Sequence, residues 1–331
     1  MQWFNRILKA GGCLMCLMSS ANAYIENAQA QAFINMMVEK HGFKRDYLER
    51  VIGEAQRNQS ILDAISRPAE KVLTWGEYRD IFVTQTRIDQ GKEFMAAQND
   101  TLQRAEDTYG VPKQIIAAIL GVETRYGRHR GGYRVVDSLA TLSFDYPPRS
   151  TFFASQLEAF FLLVREQKFD PLTIMGSYAG AMGYGQFIPS SYRDFAVDFD
   201  GDNVVDIIDN PVDAIGSVAN YFSRHGWKKG GAVVVPAKAI DKVDSAVMNP
   251  KGRPETTVAA LSALGLQEEQ TLPADTKVLP IEFEGKQGVE YWLGLDNFYV
   301  ITRYNHSHMY AMAVYQLSQA LAGKSVAAAQ K

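Results

Sequence analysis

Cysteine is almost missing from this chain of 331 residues: the two present, Cys13 and Cys16, fall within its opening stretch. A mature protein that lost this stretch would have no thiol for a disulfide, a redox couple or a soft-metal site. Positive charge is not in excess either, with 34 Lys+Arg against 37 Asp+Glu. That balance argues against a nucleic-acid partner, which would demand a basic face. The apolar stretch through Leu14, Met15, Leu17 and Met18 is much shorter than the roughly 20 residues needed to span a bilayer. No internal repeat occurs, and low complexity is confined to the alanine-rich tail after Ser325.

The opening segment nevertheless has an order. Arg6 and Lys9 precede the short apolar stretch, and Ala21-Asn22-Ala23 then leads into Tyr24. This predicts a secretory signal peptide over 1–23, cut after Ala23. A lipid-acceptor cysteine would need Leu three positions earlier, but Cys13 has Ala10 there and Cys16 has Cys13. No membrane anchor is therefore expected.

Beyond it the length exceeds one comfortable hydrophobic core, which predicts two or three domains. From 25 to about 97 the apolar spacing is helical, as in Phe33, Met36 and Met37 and again in Tyr47, Leu48, Val51 and Ile52. Pro112 suits the first turn of a helix through Ile115, Ile116, Ile119 and Leu120. A broad apolar face predicts another helix over 151–165, and Asn210-Pro211 a helix that Gly226 closes. After Trp227 the texture changes to strands: Val233 to Val235, then Ile281 and Phe283, a turn over 285–288, and Val289, Tyr291 and Leu293. A last helix is predicted from near Ser307 to Gly323.

The residue with most chemical promise is Glu123, in GVETRYGR over 121–128. Ile115, Ile119 and Glu123 follow each other at intervals of four, so the carboxylate shares the face that the isoleucines bury. The negative end of the helix dipole and partial desolvation both disfavour its ionisation and suit a proton donor. A helix-end Glu paired with Arg125 or Arg128 is the competing reading. The run GSYAGAMGYGQFIPSS over 176–191 carries four glycines but lacks the Gly-Lys-Ser/Thr ending of a phosphate-binding loop. Its glycines allow close backbone approach to a ligand, and Ser177 and Gln186 offer a hydroxyl and an amide.

Together with NPVDAIGSVANYF at 210–222 and RYNHSHMYA at 303–311, these motifs resemble the membrane-bound lytic transglycosylase B family, which cleaves peptidoglycan. The resemblance covers most of the chain after 23. It implies a mainly α fold: a goose-lysozyme-like helical core with a helical N-terminal domain and a small β-domain. On that scheme 24–100 is the helical domain, 101–230 the catalytic core, 231–300 the β-domain, and 301–331 a helix returning to the core. By motif position Glu123 is the acid/base, with Ser177 and Gln186 lining the site. Tyr78, Tyr304 and Tyr310 are saccharide-contact candidates, and Asn305 and Ser307 shape the pocket. The reaction implied breaks the MurNAc–GlcNAc bond without water and leaves 1,6-anhydroMurNAc, needing no cofactor. The setting would be periplasmic, the protein a monomer and its partner the glycan strands. Typical glycosidases use two carboxylates. Asp137, Asp145 and Glu158 are candidates for a second, though nothing in their sequence setting marks them out.

The segment 198–213 carries another pattern. Asp198, Asp200 and Asp202 stand at alternate positions, like the start of a calcium-binding EF-hand loop, with Val204 placed to offer a carbonyl. Asn203 replaces the usual Gly, and position twelve is Asp209 instead of Glu. The family resemblance implies an elongated loop closing on Asp213, with structural calcium or sodium as occupant. The alternative is an acidic turn capping the Asn210 helix. Two other functions remain open: a hydrolytic muramidase with the same cleft, and a non-catalytic peptidoglycan- or calcium-binding module.

Overall fold

A computed structural model describes residues 24–66 and 73–324. The expected signal peptide and the alanine-rich tail lie outside them. The chain divides into two compact units, the first ending at Gln56 and the second starting at Arg57. In the first, the helix Ala28–His41 is capped by Asn27, whose side chain accepts from the N–H groups of Gln29 and Ala30. It stops at Gly42, and the helix Arg45–Glu54 then buries Leu48, Val51 and Ile52. The three-to-four spacing seen in the sequence is thus the buried stripe of two real helices.

In the second unit the helix Lys113–Thr124 is the axis. Ile115 through Val122 are buried without a break. Such a helix has no polar face to present to water, so it must be surrounded. Helices Gln85–Ala97, Asn99–Tyr109, Pro211–Arg224 and His308–Leu321 pack around it. Pro112 lies one residue earlier than expected: it is the N-cap, with ψ 134, and helical dihedrals begin at Lys113. Asn210 caps the Pro211–Arg224 helix through the N–H of Val212, as its sequence indicates. The predicted helix over 151–165 is Ser150–Gln167.

The strands expected beyond Trp227 form a five-stranded antiparallel sheet. Its order is Thr256–Thr257, Lys277–Gly285, Gly288–Gly294, Val234–Ala239, Leu266–Glu268. The two longest strands join through Lys286 and Gln287, with Ile281 opposite Trp292. Val235, Ala237, Leu261, Leu266, Val278 and Leu293 make its separate apolar core. The helix Asp296–Tyr304 leaves this sheet and delivers Tyr304, and Ser307 caps the helix His308–Leu321 that carries Tyr310. The Asp296–Tyr304 helix was not visible in the sequence, because its short stretch followed directly on strand-like alternation.

Candidate active site

Glu123 is half-buried at the second-to-last position of the central helix. Immediately beyond it the chain reverses through three successive left-handed residues, Arg125 (φ 51), Tyr126 (φ 60) and Gly127 (φ 85). For the first two, which carry a Cβ, this conformation costs about 1–2 kcal/mol each. The reversal is held by hydrogen bonds from Tyr126 N to Leu120 O and from His129 N to Thr124 O, both 2.9 Å. Gly121 is required for it, since a Cβ there would lie 2.6 Å from the Tyr126 ring. Strain stored next to a carboxylate is the kind of expense found at functional sites.

The Tyr310 hydroxyl donates to Glu123 Oε1 at 2.5 Å. Tyr304 lies parallel to Tyr310, with ring planes 7° apart and centroids separated by 6.5 Å, and donates to Gly185 O at 2.5 Å. A side chain at position 185 would meet that phenol, which explains the glycine. Burial, followed by the neighbouring Glu123 charge, pushes both phenols well above their ordinary pKa, so both stay O–H donors. Tyr78 is buried at 2 % exposure, and its electrostatic influence on Tyr310 places it in the same group. These tyrosines and Glu123 are thus brought together from three separate parts of the chain.

The glycine-rich loop meets this group through Tyr184 and Gly185, whose carbonyls accept from Thr124 and Tyr304. Its start, Met175–Gly176, pairs with Tyr133–Arg134, and Met182 bridges both Gly176 and Phe187. Ser177 Oγ accepts from Ala179 N and Ala181 N, which makes the hydroxyl a staple of the loop. Gln186, at φ 51, donates from Nε2 to Arg130 O and Gly183 O. Asn305 Oδ1 accepts from Ser307 N, and Ser307 Oγ accepts from Tyr310 N at 3.3 Å. Both residues therefore shape the turn that aims Tyr310. Of the candidate second carboxylates, Asp137 is forked to Arg134 at 2.8–2.9 Å and Asp145 pairs with Arg57 at 3.5 Å.

Sequence reasoning did not single out Thr124 or Arg87. Thr124 is 1 % exposed; its hydroxyl donates to Tyr184 O at 2.8 Å and accepts from Gly127 N at 2.9 Å. A hydroxyl at the buried end of an otherwise apolar helix was the available signal. Arg87 Nη1 donates to Gly121 O at 2.6 Å. Nothing in its local sequence distinguishes it from a surface arginine.

In the acidic loop, carboxylate oxygens of Asp198, Asp200 and Asp202 lie within 4.8 Å of one another. Asn203 takes the left-handed conformation (φ 70) that Gly supplies in the usual pattern. Val204 is 39 % exposed, and its N–H donates to Asp202 Oδ1. Asp213 is fully buried and gathers the loop by accepting from the N–H groups of Phe199, Asp206 and Asp200. Burial raises its pKa, against the lowering effect of the Asp206 and Phe199 N–H groups. Asp209 is instead paired with Arg130 at 2.8 Å. An all-oxygen set of this charge fits a hard cation such as calcium.

Comparison with known proteins matches residues 26–319 to the Transglycosylase SLT domain. Membrane-bound lytic murein transglycosylase B of Escherichia coli is 45% identical over 316 residues, 92% of this chain and 86% of the relative. The catenated lytic transglycosylase SltB1 of Pseudomonas aeruginosa is 50% identical, with a TM-score of 0.87 over 91% of this chain and 99% of that one. Escherichia coli Slt35, solved in complex with calcium, is 44% identical, with a TM-score of 0.84 over 93% and 97%. Pseudomonas aeruginosa SltB3, solved with NAG-anhNAM-pentapeptide, is 28% identical, with a TM-score of 0.76 over 89% and 79%.

Proposed function

The chain belongs to the transglycosylase SLT domain family, and from that premise we propose that it is a peptidoglycan lytic transglycosylase in which Glu123 is the single acid/base. The observation that carries the assignment is the Tyr310–Glu123 hydrogen bond at the strained end of a buried helix. With Oε1 occupied by the phenol, the proton that Glu123 gives up is carried on Oε2. Glu123 protonates the glycosidic oxygen, and the C1–O bond of MurNAc breaks as the GlcNAc hydroxyl leaves. The acetamido oxygen of the same sugar supports the anomeric cation. The Glu123 carboxylate, steadied by Tyr310, then takes the proton of the C6 hydroxyl as that oxygen bonds to C1. A 1,6-anhydro ring closes, Glu123 is protonated again, and no water is consumed.

Ser177, Gln186, Tyr78, Tyr304, Asn305 and Ser307 act around this step. Of the tyrosines, Tyr304 is half-buried and keeps some ring surface for sugar, whereas Tyr78 and Tyr310 are only 2 % and 3 % exposed. Gln186 commits its amide nitrogen to backbone and has its carbonyl for substrate, while Ser177 staples the glycine-rich loop and the Asn305–Ser307 turn aims Tyr310. The catalytic core is 101–230, with 24–100 as the helical region and 231–300 as the sheet region. The helix His308–Leu321 packs on the Lys113–Thr124 helix of that core.

Asp198, Asp200, Asp202, the Val204 carbonyl and Asp213 would hold one calcium ion, with sodium as the weaker competitor. Bound there, the cation would supply loop rigidity and take no part in proton transfer. The protein works as an exported, periplasmic monomer without a lipid anchor. Among the described residues no helix is long and apolar enough to cross a membrane. Support for export is the charged, apolar, Ala-Asn-Ala order of 1–23.

Mass analysis of products from purified murein tests the reading. The expected ends are 1,6-anhydroMurNAc, one water lighter than hydrolytic ends and resistant to borohydride. Reducing MurNAc ends would make the protein a muramidase. No cleavage at all would leave a binding module.

A further inference from the structure

The last turn of the helix that carries Glu123 contains no basic residue, and the guanidinium of its C-cap residue, Arg125, is bonded to Gln90 Oε1 instead of to the end carbonyls. Such an end bears partial negative charge and sits against the acid itself. The cation comes from elsewhere. Arg87, in the first turn of Gln85–Ala97, donates from Nη1 to Gly121 O at 2.6 Å and reaches Val122 O at 3.5 Å. These carbonyls belong to the two residues immediately preceding Glu123. We propose that Arg87 is a positioning residue for proton transfer at Glu123, its guanidinium neutralising the carbonyl end of the helix that bears the acid. This rests on the reading of Glu123 as the acid/base.

The placement of Arg87 is over-determined. Its backbone N–H is taken by Thr84 Oγ1, its carbonyl accepts from Tyr126 Oη at 3.0 Å, and Nη2 donates to Ile81 O at 3.2 Å. The guanidinium lies over the Phe82 ring at 5.3 Å. Burial lowers its pKa, with Tyr126 opposing and Arg125 reinforcing that effect, yet an arginine remains charged at working pH. The fork matters because one planar group reaches carbonyls of two different segments. A hydrogen bond alone could come from a neutral side chain; the charge beside Glu123 could not.

Other groups around the acid are accounted for. Tyr310 and Tyr304 face it as neutral phenols, and Tyr78 adds a third beside Tyr310. Arg79 is bonded to Gln316, Arg125 to Gln90, and Arg128 faces Glu93. Tyr221 donates to Arg303 O, and burial holds its phenol neutral. Among the described residues, Arg87 is therefore the cation whose guanidinium contacts the Glu123 helix end directly, through Gly121 and Val122.

The test is the pH profile of kcat/KM on soluble glycan strands, in which the basic limb follows loss of the proton from Glu123. Removing a positive charge makes the carboxylate harder to form. Arg87→Met is expected to move this limb upward by on the order of half a pH unit. Arg87→Lys keeps the charge without the fork, and its limb is expected to stay at the wild-type position while turnover falls. A limb that stays in place in Arg87→Met, whatever its melting temperature, would overturn the proposal. So would an upward shift in Arg87→Lys, which decides the matter even where the Met variant fails to fold. Glu123→Gln run alongside separates the two failures: if it still cleaves, the assignment of Glu123 is at fault and not that of Arg87.

Discussion

The hydroxyl of Thr124 donates to the carbonyl of Tyr184 at 2.8 Å, tying the residue after the acid to the glycine-rich loop 60 positions away. Tyr184 is followed by Gly185, whose carbonyl holds Tyr304, and then by Gln186. One buried hydroxyl thus couples the helix that carries Glu123 to the glycine-rich loop. Because it also accepts from Gly127 N, it fixes the left-handed reversal as well.

Thr124→Val keeps the shape and removes both bonds, leaving the Gly127 N–H without this acceptor in a half-buried setting. Such loss costs about 1–3 kcal/mol. Denaturant unfolding should show a lower midpoint with unchanged slope, and turnover on murein should fall. Equal stability would mean that water replaces the hydroxyl.

Tyr310→Phe deletes one oxygen and retains the ring beside Tyr304. A hydrogen bond to a charged group contributes about 1.5–3 kcal/mol, so kcat is expected to drop about 10- to 100-fold. KM should change little. Wild-type turnover in this variant would remove Tyr310 from the mechanism.

Glu123→Gln preserves the side-chain shape but can neither give nor take the proton. Both halves of the reaction need that proton, so the loss should reach or exceed about 10²–10⁴-fold, the usual range for general acid/base catalysis. Saccharide binding, followed calorimetrically, should persist.

Calcium in the acidic loop would bind the folded chain alone and raise its melting temperature by mass action. Millimolar calcium against chelator measures the difference, and Asp200→Asn should reduce it. Identical melting curves in wild-type protein would leave the loop as an acidic turn. Sodium in place of calcium distinguishes the two ions.

Two histidines link stability to pH. Burial lowers the pKa of His225, and does the same at His308, from the ordinary 6.5. The folded chain prefers both rings neutral, whereas the unfolded chain protonates them near the ordinary value. Their contribution is complete above 6.5 and is lost as pH falls from there through the depressed folded values. Melting temperature should decline over that acidic window. His308→Gln should flatten the decline, and an unchanged slope would show that the ring is already charged when folded.

The sequence alone determined what local chemistry controls. Asn210 before Pro211 starts a helix because a side-chain oxygen takes an orphan N–H and proline has none to lose. Ile115, Ile116, Ile119 and Leu120 marked a helix, and the spacing of four put Glu123 on the face its isoleucines bury. Glycine density at 176–191 marked a loop approached closely by other atoms. What only the tertiary structure decided are pairings between distant positions: Tyr310 with Glu123 across 187 residues, Arg87 with the Gly121 carbonyl, and Thr124 with Tyr184. Asp213 likewise proved to be the buried knot of its loop, taking three backbone N–H groups. Spacing along a chain reports which side chains share a face of one element. It carries no information about which face of another element arrives opposite, because that is settled by the packing of the whole core.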